Sequence, residues 1–144
     1  KGIPPNQNIV KMPSPSLNSY KDGTIPVLIG KGMAQSTKLN VGDSFTIRWL
    51  DINRTFDANE GTVVHIMDIE NFKIDMGHIW IPLNIAQSMF EMQDQATYVT
   101  YKKNSMEIAD NIDWVHRDVD FLVKDMEAII EADKPSVQVM FIIL

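Results

Sequence analysis

The most constraining feature of this sequence is a segment in which apolar and polar side chains alternate. From Ser44 to Asp51, the apolar residues Phe45, Ile47 and Trp49 are separated by polar ones. Successive side chains of a β-strand point to opposite faces, so a period of two is typical of a strand with one buried face. The segment therefore predicts a half-buried strand.

Other segments also predict strands. Residues 62–69 are rich in the β-branched side chains that strands favour, and apolar residues alternate again around Trp80. Gly42 and Asp43 predict a tight turn before the alternating segment. The further predicted strands are residues 27–29, 62–69, 79–83 and 97–101.

The connections between these strands are predicted from proline, glycine and polar residues. The first 23 residues are rich in proline, serine and asparagine, and we expect extended chain and turns there, with Pro26 delaying the first strand to Val27. Residues 51–61 predict a hairpin connection and residues 71–77 a loop. Short helices are predicted at 33–37 and at 85–90, with Asn84 capping the second.

The last forty residues have a different pattern. No proline or glycine occurs from Asp113 to Asp133, and apolar residues recur there at steps of three and four, which predicts an amphipathic helix. The final residues, Val137 to Leu144, are apolar except for Gln138, and we interpret them as the start of a membrane helix. The stripe consists of Val115, Val119, Leu122, Met126 and Ile129.

These patterns predict an α+β fold. The body is a β-rich unit with a small mixed or antiparallel, barrel-like sheet and short helices, followed by a long C-terminal amphipathic helix. The predicted boundaries are residues 1–104 for the body, 105–136 for a connector helix and 137–144 for a truncated transmembrane helix. A chain of 144 residues is long enough to bury a core of its own.

Composition excludes several classes of function. The formal net charge is −6 and the basic residues form no stripe, so the chain is not expected to bind nucleic acid. The chain contains no cysteine, which excludes disulfides, thiolate metal sites and cysteine nucleophiles.

One cluster offers metal-ligand chemistry. Imidazole and carboxylate groups at His65, Asp68, Glu70, Asp75 and His78 suit zinc or manganese, but no specific ligand spacing is present. We interpret the cluster as a polar turn between two strands and predict no metal, cofactor or catalytic residue. A metal-dependent hydrolase that uses four of these residues, without Glu70, remains a separate hypothesis.

Two further kinds of motif bear on ligand binding and catalysis. Residues 30–32, Gly-Lys-Gly, lack the rest of a P-loop and the third glycine of a dinucleotide fingerprint, so they predict a tight strand-to-helix turn. No serine lies in a GxSxG motif, and we expect that the protein is not an enzyme. If an apolar substrate touches the domain, we expect it at Met89, Phe90 and Met92.

The order of several motifs resembles a known family. The motifs are residues 2–5 (GIPP), 26–34 (PVLIGKGMA), 39–47 (LNVGDSFTI), 62–68 (TVVHIMD), and Asp75 through Pro82-Leu83 to Ala86-Gln87. Together with the C-terminal helix and its Trp114, they resemble the periplasmic domain of MacB-like ABC transporter permeases. This group includes the lipoprotein-releasing LolC/LolE and FtsX-like permeases. In it, position 65 is usually glycine.

The resemblance implies an extracytoplasmic domain in the bacterial inner membrane, with this domain in the periplasm. It implies three kinds of partner: a cytoplasmic ATPase subunit, a second permease subunit, and a lipoprotein, peptide or small amphiphile as cargo. Membrane attachment would come from flanking helices. Members of the family have a further βα portion upstream of the position of Lys1, so we expect this chain to be a fragment. The alternative is a soluble β-rich adaptor that docks on a partner through its C-terminal helix.

Overall fold

The computed structural model describes residues 1–19, 23–101, 115, 117–121 and 124. The chain divides into two units, Lys1–Ser105 and Met106–Leu144, and the fold given below is that of the first. Among its described residues, this unit has a five-stranded mixed sheet, three short α-helices and one 3-10 helix. The predicted α+β class, with a small mixed sheet and short helices, is confirmed.

The sheet is mixed because two of its strand pairs are parallel and two are antiparallel. The order across the sheet is β1-β5-β2-β4-β3. The pairs β1–β5 and β2–β4 are parallel, whereas β2–β5 and β3–β4 are antiparallel. The strands are β1 (Gly2–Ile3), β2 (Ile25–Gly30), β3 (Ser44–Leu50), β4 (Phe56–Met67) and β5 (Ile79–Pro82).

Strand β2 is the centre of the sheet, and all six of its residues are buried. A strand that is covered on both faces usually has a continuous apolar sequence, as Ile25 to Ile29 does here. Contrary to expectation, Pro26 lies inside the strand, in register with Thr62. The β2–β4 register shifts directly after Val27, and such irregularities are where strands accommodate proline.

Each face of the sheet carries its own apolar cluster. On one face, the cluster includes Val27, Ile29 and Val63, and it is covered by Ala34 and Ala86. These two alanines belong to α1 (Lys31–Thr37) and α3 (Leu83–Met89). On the other face, Leu28, Met67 and Trp80 pack with Leu17.

The N-terminal segment therefore covers part of the core. The expectation of only extended chain and turns before residue 24 is wrong, because Gly2–Ile3 pairs with β5 and Ser14–Asn18 forms a 3-10 helix. Leu17 in that helix is 1 % exposed, so this face of the sheet depends on a segment that has no regular apolar period.

Four other local predictions are corrected. Strand β4 begins at Phe56 rather than residue 62, so the hairpin connection spans only 51–55. The predicted loop at 71–77 contains helix α2 (Phe72–Gly77), where the side chain of Asn71 accepts a hydrogen bond from the Ile74 N–H. Helix α3 begins at Leu83 rather than at the predicted Ile85, with Pro82 and not Asn84 as its N-cap residue, and residues 97–101 form no strand.

Most of the C-terminal prediction lies outside the described residues. Of the connector 105–136, the structure describes residues 115, 117–121 and 124, of which 119–121 and 124 are helical. The segment 137–144 lies wholly outside them. In the part of the chain that is described, no helix has the length and hydropathy to cross a bilayer.

Candidate functional site

A half-buried carboxylate joins two helices where β2 ends. Gly30 is the last residue of β2, and Lys31 and Gly32 begin α1. Asp75 of α2 lies against this turn, and its Oδ2 accepts a hydrogen bond from the Gly32 N–H at 2.8 Å. We call Gly30, Gly32 and Asp75 the α1–α2 junction.

Close packing explains why both positions of the junction are glycine. A Cβ built on Gly30 would overlap the carboxylate and the carbonyl oxygen of Asp75, and one on Gly32 would overlap the same carboxylate. Glycine permits such an approach because it has no side chain. The prediction that Gly-Lys-Gly forms a tight strand-to-helix turn is confirmed.

The carboxylate also supplies an electrostatic cap to α1. Helix N-termini leave backbone N–H groups unpaired and favour negative charge. Helix α1 has no acidic residue in its first turn and no side-chain cap from Gly30, its N-cap residue. Asp75, which belongs to α2, supplies α1 with both a side-chain hydrogen bond and a negative charge, so the two helices are fixed to each other.

Two polar atoms close to this junction in sequence are buried without a hydrogen-bond partner. They are Oδ1 of Asp75 and Nδ1 of His78, the residue that follows α2. The His78 ring lies 6.1 Å from the Trp80 ring, centroid to centroid, at a tilt of 38°. His78 therefore packs on an aromatic neighbour.

The residues that offered metal-ligand chemistry do not come together as a site. His65 lies on β4 and is exposed, and Asp68 and Glu70 are exposed in the segment after that strand. Among the residues that the structure describes, no three histidine, aspartate or glutamate side chains are close enough to hold a metal ion. The hydrolase hypothesis therefore has no site in this part of the chain.

A shallow cleft lies beside the junction, with a volume of about 520 Å³. It is situated between α1 and α2, at the carboxyl ends of the parallel strands β2 and β4, where α/β sheets commonly bind ligands. Its lining mixes Lys31 with two carboxylates, those of Asp68 and Asp75, and includes the exposed ring of Phe72. This mixture selects neither an anion nor a cation.

Strands β3 and β4 extend beyond the sheet as a two-stranded arm. Residues 61–67 of β4 pair with β2, whereas Phe56 to Glu60 pair only with β3. At the tip, Asp51 Oδ1 accepts from the Thr55 N–H at 2.7 Å, and Arg54 has a φ of 62°. The arm exposes apolar side chains at Leu50, Ile52 and Phe56.

A groove runs between this arm and α3, and we call it the hairpin groove. Its volume is about 380 Å³. Apolar atoms come from Ile25, Trp49, Ile85 and Met89, and carboxylates come from Asp51, Asp57 and Glu91. At one end, Asn53 Nδ2 donates to Glu91 Oε2 at 2.5 Å, which ties the tip of the arm to the residues after α3.

The apolar residues predicted to be accessible are found near this groove. Phe90 is 38 % exposed and Met92 37 %, as expected. Met89 is half-buried and packs against the core cluster that contains Val27, while also lining the groove. Sequence patterns missed the groove because its two walls, at 49–59 and 84–91, meet only through the fold.

No protein-family model matches the chain, and no curated protein matches it. The resemblance to MacB-like permeases accordingly remains a prediction from the motifs.

Proposed function

We propose that this chain is the extracytoplasmic domain of an ABC transporter permease. In this role it couples cytoplasmic ATP hydrolysis to the extrusion or release of a substrate such as a lipoprotein, peptide or small amphiphile. The observation that carries the proposal is that the motifs behind the resemblance contact one another. Motifs scattered over residues 2–87 thus specify a single body.

Three contacts connect these motifs. The motif at residues 26–34 contacts the motif that starts at Asp75, because the Gly32 N–H donates a hydrogen bond to Asp75 Oδ2. The turn at 42–43 pairs with β4, since the Gly42 N–H donates to the Val63 carbonyl at 2.8 Å and the Val63 N–H to the Asp43 carbonyl at 2.9 Å. Gly2 lies against α3, where an added Cβ would be 2.8 Å from the Ala86 Cβ.

A rigid body suits the proposed mechanical role. The central strand is buried on both faces, and the α1–α2 junction fixes two helices without a flexible linker. Such a unit can move as one piece when membrane helices move, which is the simplest way to transmit a conformational change. In this proposal residues 105–136 form the connector and 137–144 enter the inner membrane, with the β-rich body in the periplasm.

The test uses the complete reading frame that contains this chain. The protein is expressed with an affinity tag, cells are fractionated, and the membrane fraction is solubilised in mild detergent and purified. We expect recovery in the membrane fraction together with a cytoplasmic ATPase subunit. Recovery of the complete protein from the soluble fraction without an ATPase would overturn the proposal.

The same experiment distinguishes the adaptor alternative. A soluble β-rich adaptor would be found in the soluble fraction, bound to its partner through residues 105–136. Deletion of 137–144 provides a control, because it would release a membrane-anchored protein only if this segment contributes to the anchor. A soluble adaptor would not change fraction on that deletion.

A further inference from the structure

We propose that the hairpin groove binds a small cationic amphiphile, meaning an apolar body that carries an ammonium group. Neither the motif resemblance nor the proposed transport role assigns a ligand to this groove. The inference rests on three properties of the groove: its apolar floor, its charge and its size.

The floor of the groove provides an apolar and aromatic surface. Trp49 and Met89 are half-buried there, because they pack against the core cluster on one side and line the groove on the other. The ring of a tryptophan attracts cations through its electron-rich face, more strongly than tyrosine or phenylalanine does. A floor of this kind suits a ligand that is both apolar and positively charged.

The charge of the lining has one sign. Asp51, Asp57 and Glu91 contribute carboxylates, and within the described part of the chain no lysine or arginine lines the groove. Asp57 stands directly opposite Trp49 in the β3–β4 register, so its carboxylate lies beside the aromatic floor. Charge complementarity therefore selects a cation over an anion or a neutral lipid.

The neighbouring basic residue, Arg48, does not neutralise the carboxylates of the groove. Arg48 belongs to the opposite face of β3, because side chains of a strand alternate and Arg48 lies next to Trp49. In the described part of the chain, the three carboxylates accept hydrogen bonds from uncharged groups: Asp51 from the Thr55 N–H, Asp57 from the Ala58 N–H and Glu91 from the Asn53 amide. Their negative charge remains available to a ligand.

Size favours a small ligand over a folded partner. A volume of about 380 Å³ is at the lower end of the range for small-molecule pockets. The hydrogen bond between Asn53 and Glu91 joins the tip of the arm to the residues after α3, so the two sides of the groove are connected to each other.

The probe for the test is octyltrimethylammonium below its micellar concentration, added to the 144-residue chain. Binding is followed by the shifts of backbone amides and of the Trp49 indole N–H in two-dimensional NMR. Octyl sulfate and octyl glucoside have the same tail with an anionic and a neutral head. We expect the NMR shifts to be confined to Trp49 and residues 84–91. We also expect the cation to bind at least fivefold more tightly than either control, and its binding to weaken at high salt.

Matched variants localise the effect of charge. Asp57→Gln and Glu91→Gln each remove one groove carboxylate from an exposed position, and we expect each to weaken binding about two- to fivefold. Glu60→Gln removes the same charge from the same strand, but in register with Thr46 on the opposite face. Since charges are screened over about 8 Å at physiological salt, we expect it to change affinity less than twofold.

Two results would overturn the inference. One is equal binding of the cationic, anionic and neutral probes, which would make the groove merely apolar. The other is an equal loss of affinity in Glu60→Gln and Asp57→Gln, which would make the effect a general property of the acidic chain. Neither result bears on membrane recovery of the complete protein, so this inference and the transport proposal fail separately.

Discussion

The Oδ2 atom of Asp75 and the backbone N–H of Gly32 are joined by a 2.8 Å hydrogen bond between residues 43 positions apart. This contact caps one helix with a side chain from another. It brings together two motifs that were recognised separately in the sequence, and it explains the two glycines that flank Lys31.

The fit of Gly30 against Asp75 is predicted to tolerate no side chain. A Cβ at Gly30 would meet the backbone of Asp75 as well as its carboxylate, and the backbone cannot rotate away as a side chain can. We expect Gly30→Ala to reduce the free energy of unfolding by about 3 kcal/mol, measured by urea denaturation. Gly77→Ala is the control, because a Cβ there has nothing within 4 Å, and we expect no loss of stability.

Removal of the capping carboxylate is predicted to have a smaller effect. Asp75→Ala loses the hydrogen bond to Gly32 and the negative charge at the start of α1, and we expect a loss of about 1–2 kcal/mol in the free energy of unfolding. Asp68→Ala removes a carboxylate from an exposed position in the same cleft and should change stability by less than about 0.5 kcal/mol. Equal losses in the two variants would show that Asp75 acts only as a surface charge.

The sequence predicted those elements whose side-chain pattern matches their burial. Phe45, Ile47 and Trp49 do share one face of β3 and belong to or pack against one core cluster. The Gly-Lys-Gly turn and the mid-strand position of His65 were also predictable, because a turn and a β-branched run are local signals.

The elements that were missed lack such signals for physical reasons. Phe56 to Glu60 pair only with β3 and are exposed, so no core imposes an apolar alternation on them. Helix α2 has six residues and ends in glycine, and six residues are too few to show a helical period of apolar side chains. Residues 97–101 have the composition of a strand but are not a strand in the structure.

The loop between α1 and β3 offers a test of backbone conformation. Gly42 has a φ of 96° and Lys38 a φ of 61°, and L-residues rarely adopt positive φ. We expect Gly42→Ala to cost about 1–2 kcal/mol in the free energy of unfolding, and Lys38→Gly to stabilise by up to about 1 kcal/mol. Thermal unfolding should therefore shift in opposite directions for the two variants, and a shift in the same direction would contradict the backbone explanation.

The sheet and the arm are predicted to differ in local stability. Backbone amides of β2 are buried between two strands, whereas residues 56–60 form part of a two-stranded ribbon with exposed side chains. We expect hydrogen exchange of the β2 amides to report the global unfolding free energy and exchange at 56–60 to be much faster. Equal protection in both segments would mean that the arm is packed against something beyond its paired strand.

The most direct test of the central claim is the side of the membrane on which this body lies. The chain has no cysteine, so Ile52→Cys places a single thiol at the tip of the arm, where Ile52 is 62 % exposed. The complete protein carrying this substitution is treated in intact cells with a maleimide that does not cross the inner membrane, with the unsubstituted protein as background. The account predicts the same labelling in intact cells as after lysis. Labelling only after lysis would contradict it.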